Sequence, residues 1–327
     1  MKIAVLGAGA WGTAISISLG PRHAVTLWAR DPLQAQAINA TRINQRYLPE
    51  FEIPAAVRIT ADLPTALDQA ELLLVATTTA GLRAVFKQLA NGAVPPLIWL
   101  CKGFETESAQ LPHQIAAAEL GGEVARGALS GPSFAHEVAA GMPTALTLAS
   151  SDAAFAQRIA RKLHHDRLRI YSSDDNVGIE IAGALKNVIA IAAGISDGLG
   201  LGLNARAALI TRGLAEITRM GLQFGGRMET FMGLAGVGDL VLTCTGDLSR
   251  NRRLGLALAK GVPVVQVLTE LGHVAEGVYT ARAASRLARA RDVDMPITRA
   301  VCRVMDEGIS ARDAVQELLQ RDPKSER

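Results

Sequence analysis

Hydrophobic positions fall into two regimes along the chain. Up to about residue 177, apolar and β-branched runs recur at Met1–Leu6, Ala24–Trp28, Glu71–Ala76, Leu97–Cys101, Gly127–Leu129 and Ala145–Ala149, and each reads as a strand. Helical segments, among them Thr13–Leu19, Pro32–Ala40 and Leu82–Leu89, lie between the earlier ones. That alternation predicts a mostly parallel sheet, with ligands held beyond the carboxyl ends of its strands. From Val177 onward the strand signal fades and alanine-rich helical spacing takes over. The pattern therefore predicts an α/β fold, with a mostly parallel sheet domain over residues 1–177 followed by an all-α domain over residues 178–327.

The stretch Asn176–Gly198 is built mainly of apolar and very small residues, which suits a helix buried on most of its circumference. Lys186 sits in its middle. An ammonium taken out of water costs several kcal/mol unless paired, and burial lowers its pKa toward the range of proton exchange. Lys186 is thus a candidate proton donor, set against a lysine that packs its methylenes and sends its amine to the surface.

Composition narrows the classes without choosing among them. At 327 residues and 49% hydrophobic content, two cores are expected and bulk disorder is excluded. A formal charge of +3 calls for neither a nucleic-acid nor a membrane partner. Cys101, Cys244 and Cys302 are far apart and form no C-x-x-C pair, so a reducing cytoplasm is expected and neither a disulfide framework nor a metal site. Lys2 followed by the uncharged run to Gly20 imitates a signal peptide, but three glycines break it and it reads as folded protein. Lys186 interrupts the best candidate for a membrane span. Only residues 323–327 read as a solvated tail.

The opening strand leads at once into Gly7-Ala8-Gly9-Ala10-Trp11-Gly12 and a helix. Such a strand, tight turn and helix start suit a dinucleotide pyrophosphate: Gly7 for the turn, Gly9 for close approach, Gly12 for helix–strand packing. The sheet domain is therefore expected to be Rossmann-like. The second strand ends in Ala29-Arg30-Asp31. Arg30 favours the 2′-phosphate of NADPH over NADH, while Asp31 is either a ribose ligand or a helix cap. Other rim candidates are Thr77–Thr79, Lys102-Gly103 and Ser130–Ser133. In the second half, Asp239 closes the glycine-rich segment from Met232 and is a possible partner for a buried lysine. Ser249-Arg250-Asn251-Arg252-Arg253 opens a further helix. Cations in a first turn oppose the helix dipole, so the cluster is either a phosphate site or a solvated basic patch. Arg282, Arg286 and Arg289 read as a solvated face. Gly194-Ile195-Ser196-Asp197-Gly198 matches G-x-S-x-G, but it follows a helix where a nucleophile elbow follows a strand. His164-His165 lacks further ligands at metal spacing.

Several segments occur together in order: GAGAWGTA at the start, INQRYLP at 43–49, CKGFE at 101–105, LSGPSFAHEV at 129–138, ALKNVIAIAAGISDGLGLG at 184–202, GLAGVGDLVLTC at 233–244, SRNRRLG at 249–255 and VAEG at 274–277. Taken together they closely resemble bacterial NAD(P)-dependent glycerol-3-phosphate dehydrogenase over nearly the whole chain. The resemblance implies reduction of dihydroxyacetone phosphate to sn-glycerol 3-phosphate by NADPH or NADH, feeding phospholipid synthesis. It implies Lys186 as general acid/base, Lys102 polarising the carbonyl, and Asp239 orienting the lysine or the substrate. Gly131, Ser133, Asn187, Ser249, Arg250 and Asn251 would hold a small phosphorylated substrate, together with Lys102, Lys186 and Asp239. Gly7, Gly9, Ala10, Trp11, Gly12, Arg30, Lys102, Ala135, Arg250, Val274 and Glu276 would hold the cofactor. A homodimer is implied on the same ground alone.

Two positions depart from the family pattern. Ala76-Thr77-Thr78 stands where the family usually carries Val-Pro-Ser or Val-Pro-Thr, and Glu50 stands where a glycine commonly follows Tyr-Leu-Pro. The nearest rivals are ketopantoate reductases and β-hydroxyacid dehydrogenases, whose substrates carry a carboxylate; the Ser249–Arg253 cluster argues for phosphate. A non-catalytic NADPH-binding regulator is a rival of another class.

Overall fold

The computed structural model describes residues 1–121, 124–270 and 276–321. The strands are β1 (Lys2–Leu6), β2 (Ala24–Trp28), β3 (Ile43–Asn44), β4 (Leu48–Glu52), β5 (Arg58–Thr60), β6 (Leu72–Val75), β7 (Leu97–Trp99), β8 (Arg126–Ser130), β9 (Thr144–Ala149) and β10 (Leu168–Ser173). Eight of them form one sheet in the order β10-β9-β8-β7-β6-β1-β2-β5, while β3 and β4 pair as a hairpin. All pairings in the large sheet are parallel except β8 with β9. The chain builds outward from β1 toward β5, then returns to the other side of β1 with β6. That reversal creates a crevice at the carboxyl ends of β1 and β6, where such sheets place ligands.

The first apolar run of the sequence is a central strand, with Ile3, Ala4, Val5 and Leu6 all buried. Apolar side chains from one face of the sheet, among them Leu27, Leu74 and Leu146, pack with Ile15 and Phe155 from the helices covering that face to form a core of this part.

The chain divides into two compact units, one of residues 1–102 and 110–180, the other of residues 103–109 and 181–327. The division falls inside the Asn176–Gly198 helix, three residues beyond the expected boundary at 177/178. After that helix the second unit continues through helices Gly202–Gln223, Met228–Phe231, Asp239–Thr245, Arg250–Ala259, Val264–Glu270, Glu276–Ala290, Pro296–Asp306 and Ala311–Leu319. The Asn176–Gly198 helix is long and apolar enough to cross a bilayer, but 94% of its most apolar window is buried inside the protein. It is the core helix of the second unit.

Candidate active site

In the first unit the geometry gathers around the glycine turn. Gly7 has φ +122°, a conformation that L side chains rarely adopt, and a Cβ there would lie 2.8 Å from the Ala76 carbonyl oxygen. A Cβ on Gly12 would lie 1.9 Å from the Gly7 carbonyl oxygen, so helix and strand approach as closely as backbones allow. Gly9 differs from both. Nothing lies within 4 Å of its would-be Cβ, and it begins the Ala10–Leu19 helix with no side-chain cap. The first amides of that helix, Ala10 and Trp11 included, lack intrahelical acceptors and a side-chain cap, an arrangement that suits an anion. The turn is fastened from behind: Gln34 Nε2 and Asn44 Nδ2 donate to the Ala8 carbonyl at 2.7 and 3.0 Å, and Asn44 also donates to Thr13 Oγ1 at 2.8 Å.

Arg30 is exposed two residues past β2. Asp31 accepts from Leu33 N at 2.9 Å through Oδ1 and caps the Pro32–Thr41 helix. Trp11 and Ala135 pack on one small cluster around Ala14, Leu48 and Val138. Beyond β7 and β8, Lys102 Nζ donates to the Gly131 carbonyl at 3.1 Å and Ser133 Oγ donates to the same oxygen at 2.9 Å. Gly131 itself has φ +136°. Glu50 lies in extended β4 against His136, at a position with no positive φ, so the loop does not require glycine there. In the Ala76–Thr78 loop the shape is set by the Gly7 contact and by Thr78 starting the Thr79–Leu89 helix, without a proline.

In the second unit Lys186 is 8% exposed and does not reach the surface. Its Nζ donates to Asp239 Oδ1 and, at 3.0 Å, to Thr243 Oγ1, which in turn donates to the Asp239 carbonyl at 2.6 Å. Asp239 is 1% exposed. A buried carboxylate and a buried ammonium each offset part of the other's desolvation cost. The segment that aims Asp239 is a wide helical turn, Leu234–Gly238, in which Gly238 N donates to the Gly233 carbonyl five residues back. A Cβ on Gly236 would lie 2.1 Å from the Phe231 carbonyl oxygen. Beside the pair, burial pushes the Cys244 thiol up to about 12 even though the Lys186 ammonium pulls it down. It is therefore a packing residue rather than a nucleophile.

Asn187 Oδ1 accepts from Asn251 Nδ2 at 3.0 Å, and Asn251 Oδ1 accepts from Gly277 N at 3.2 Å. Ser249 caps the Arg250–Ala259 helix by accepting from Arg252 N at 3.2 Å. Arg250 and Arg253 are exposed, whereas Arg252 is bonded to Asp197 and Asp247. The expected cluster of three arginines thus reduces to two outward-facing cations. Glu276 begins the Glu276–Ala290 helix, and Val274 lies outside the described residues.

Residues 2–156 match the family model described as NAD-dependent glycerol-3-phosphate dehydrogenase N-terminus, and residues 175–316 match the model of its C-terminus. Glycerol-3-phosphate dehydrogenase (NAD(P)+) of Dechloromonas aromatica (strain RCB) is 58% identical over 327 residues, covering 100% of this chain and 99% of that one. The chain belongs to the NAD-dependent glycerol-3-phosphate dehydrogenase family. The structure of the Coxiella burnetii glycerol-3-phosphate dehydrogenase is similar with a TM-score of 0.94 at 42% identity, covering 98% of this chain and 99% of that one. A ketopantoate reductase from Ralstonia eutropha shares the fold alone, with a TM-score of 0.60 at 17% identity over 98% of this chain and 100% of that one.

Within this family member the structure brings Lys186 and Asp239 together as the sequence suggested, and adds two residues that sequence reasoning missed. Thr243 was legible only as part of GLAGVGDLVLTC; its i+4 spacing from Asp239 puts both on one face of a helix. Asn44 lies in INQRYLP and, at 1% exposure, braces the glycine turn.

Proposed function

We propose that this chain is an NAD(P)-dependent oxidoreductase reducing dihydroxyacetone phosphate to sn-glycerol 3-phosphate, reversibly, and so supplying glycerophospholipid synthesis. The observation that carries the mechanism is the buried Lys186 ammonium gripped by Asp239 and Thr243. Within the first unit, the open space at Gly9 between the tight turns of Gly7 and Gly12 fits a pyrophosphate on the first amides of the Ala10–Leu19 helix. Gly7, Gly9, Ala10, Trp11 and Gly12 hold the dinucleotide in this reading, with Ala135, Lys102, Arg250, Val274 and Glu276 completing its contacts. Arg30, exposed past β2, suits the 2′-phosphate of NADPH, and NADH remains a substrate without it.

The bound nicotinamide supplies the hydride. Lys186 Nζ hands a proton to the carbonyl oxygen as negative charge develops there, and takes it back in the reverse direction. Asp239 holds the ammonium in place through its Oδ1, and Thr243 through its hydroxyl oxygen, so that the proton donor is fixed before substrate arrives. Lys102, tethered to the Gly131 carbonyl, adds positive charge for the same oxygen. Gly131, Ser133, Asn187, Ser249, Arg250 and Asn251 hold the substrate. Asn251 keeps its second Nδ2 hydrogen for that purpose, the first being spent on Asn187. Arg250, beside Ser249 and Asn251 at the helix start, is the phosphate-binding cation in this reading, and Arg252 is already paired.

A cytoplasmic location and a homodimer belong to the same proposal. The first is supported by three cysteines that remain free thiols, the second by family resemblance. The deciding assay is NADPH oxidation with dihydroxyacetone phosphate, beside ketopantoate as the carboxylate-bearing rival. Lys186→Ala is expected to lower kcat by roughly 10²–10⁴ with NADPH binding retained. Lys186→Arg keeps a cation for Asp239 but cannot release a proton, so it should be equally slow. Turnover in either variant at the wild-type rate would remove Lys186 from proton transfer.

A further inference from the structure

The Gly194–Gly198 segment, whose hydrolase-like pattern has no nucleophile role, has a specific place in this fold. A Cβ on Gly194 would lie 2.0 Å from the Arg252 carbonyl oxygen, and one on Gly255 would lie 2.0 Å from the Ile191 carbonyl oxygen. A Cβ on Gly198 would lie 2.5 Å from Ala259 Cβ. Contacts therefore run from Asn187 with Asn251, through Gly194 with Gly255, to Gly198 with Ala259, so the two helices cross in the same direction with their backbones touching. Lys186 lies at the start of that seam, two turns or about 12 Å before Gly194.

Asp197 locks the seam. Its Oδ2 accepts from Arg252 Nε at 2.9 Å, from Arg252 Nη2 at 2.7 Å and from Arg206 Nη1 at 3.1 Å. Arg252 Nη1 also donates to Asp247 Oδ1 at 2.9 Å. The Asp197 and Arg252 side chains are only 13% and 11% exposed, so solvent weakens this pairing far less than it would a surface pair. The backbone N–H of the same Arg252 holds the Ser249 hydroxyl. Arg252 is thus fixed at its carbonyl by Gly194 and at its guanidinium by Asp197, and through its amide it orients the turn that carries Ser249 and Arg250.

We propose that Asp197 is a positioning residue for substrate phosphate: acting through Arg252, it sets the Ser249–Asn251 turn at a fixed distance from Lys186 and compensates the charge of the largely buried Arg252 itself. This rests on the functional reading above. Without Asp197, the Arg252 guanidinium keeps only its bond to the exposed Asp247, and the turn loses its buried side-chain anchor.

The test is Asp197→Asn, compared with wild type by steady-state kinetics and by calorimetric titration with inorganic phosphate. The expected result is a rise of about tenfold in the KM for dihydroxyacetone phosphate and a similar weakening of phosphate Kd. kcat should stay within about twofold, a split that general loosening of the fold does not produce. Arg252→Lys keeps the charge but loses the fork, so it should shift KM and phosphate Kd in the same direction, and it decides the matter should Asp197→Asn not fold. Unchanged phosphate Kd, or a loss of kcat at constant KM, overturns the proposal. Absence of dihydroxyacetone phosphate turnover in wild type would instead strike the functional reading and leave the phosphate titration to decide this one.

Discussion

Replacing Gly9 by alanine is expected to separate stability from cofactor binding, and replacing Gly12 to destroy both. Gly9 sits at φ −80° and ψ −176°, a conformation open to any residue, with nothing within 4 Å of the added methyl. Removing a glycine lowers unfolded-state entropy and stabilises by about 0.4–1 kcal/mol, while alanine at a helix N-cap costs on the order of 0.5–1 kcal/mol. The two offset, so the melting temperature should move by less than about 3 °C. The methyl nevertheless projects where a pyrophosphate must approach the amides. Pushing the anion out by about 1 Å takes one or two charge-assisted hydrogen bonds beyond reach, each on the order of 1.5–3 kcal/mol. NADPH Kd should therefore rise by roughly tenfold or more. At Gly12 the methyl would instead meet a backbone oxygen at 1.9 Å and Ala76 Cβ at 3.0 Å, and neither neighbour is a flexible side-chain end. That variant should melt well below wild type. NADPH fluorescence titration and ligand-free thermal melting measure the two effects. Wild-type NADPH affinity in Gly9→Ala would refute the pyrophosphate placement, and a wild-type melting point in Gly12→Ala would refute the packing argument.

Two further outcomes are expected. Glu216 is 1% exposed and accepts from Ile297 N, Thr298 N and Thr298 Oγ1 at the start of the Pro296–Asp306 helix. Burial outweighs these bonds and pushes its carboxyl from 4.5 up to about 7. The folded protein thus holds the proton more tightly than the unfolded chain, and stability present below about pH 4 declines as pH rises through about 7, by about 3 kcal/mol in all. Melting curves from pH 4 to 8 should show this decline in wild type and lack it in Glu216→Gln; equal slopes would contradict the assignment. Arg30→Asp should weaken NADPH binding with little loss for NADH, measured by paired titrations, and equal losses would place Arg30 away from the 2′-phosphate.

The central strands and the glycine turn were legible because each is a local pattern: an apolar run, then glycines at fixed spacing. The sheet's edges were not. β5 spans three residues, and β10 alternates buried with exposed positions across Leu168–Tyr171, so neither forms an apolar run. The antiparallel β8–β9 pairing leaves no trace in either strand's composition. The hairpin of β3 and β4 was hidden in a polar stretch. In the site, Lys186 announced itself as a charge inside an apolar helix, and Asp239 as a carboxylate among glycines. The paired state of Arg252 was not legible because its partner Asp197 lies 55 positions away, a pairing only the crossing of two helices creates. Thr243 stayed silent for a similar reason, since a threonine on a helix usually bonds its own backbone, as this one also does.

The wide turn at Leu234–Gly238 places one more residue in its circuit than an ordinary helical turn would. Deleting a residue there would let the backbone relax into regular geometry, yet it would swing everything that follows by about 100° around the axis. The carboxylate of Asp239 would then point away from the amine it now grips. Length in this segment is consequently locked to chemistry: a single codon gained or lost would disarm the enzyme even where the fold survived it.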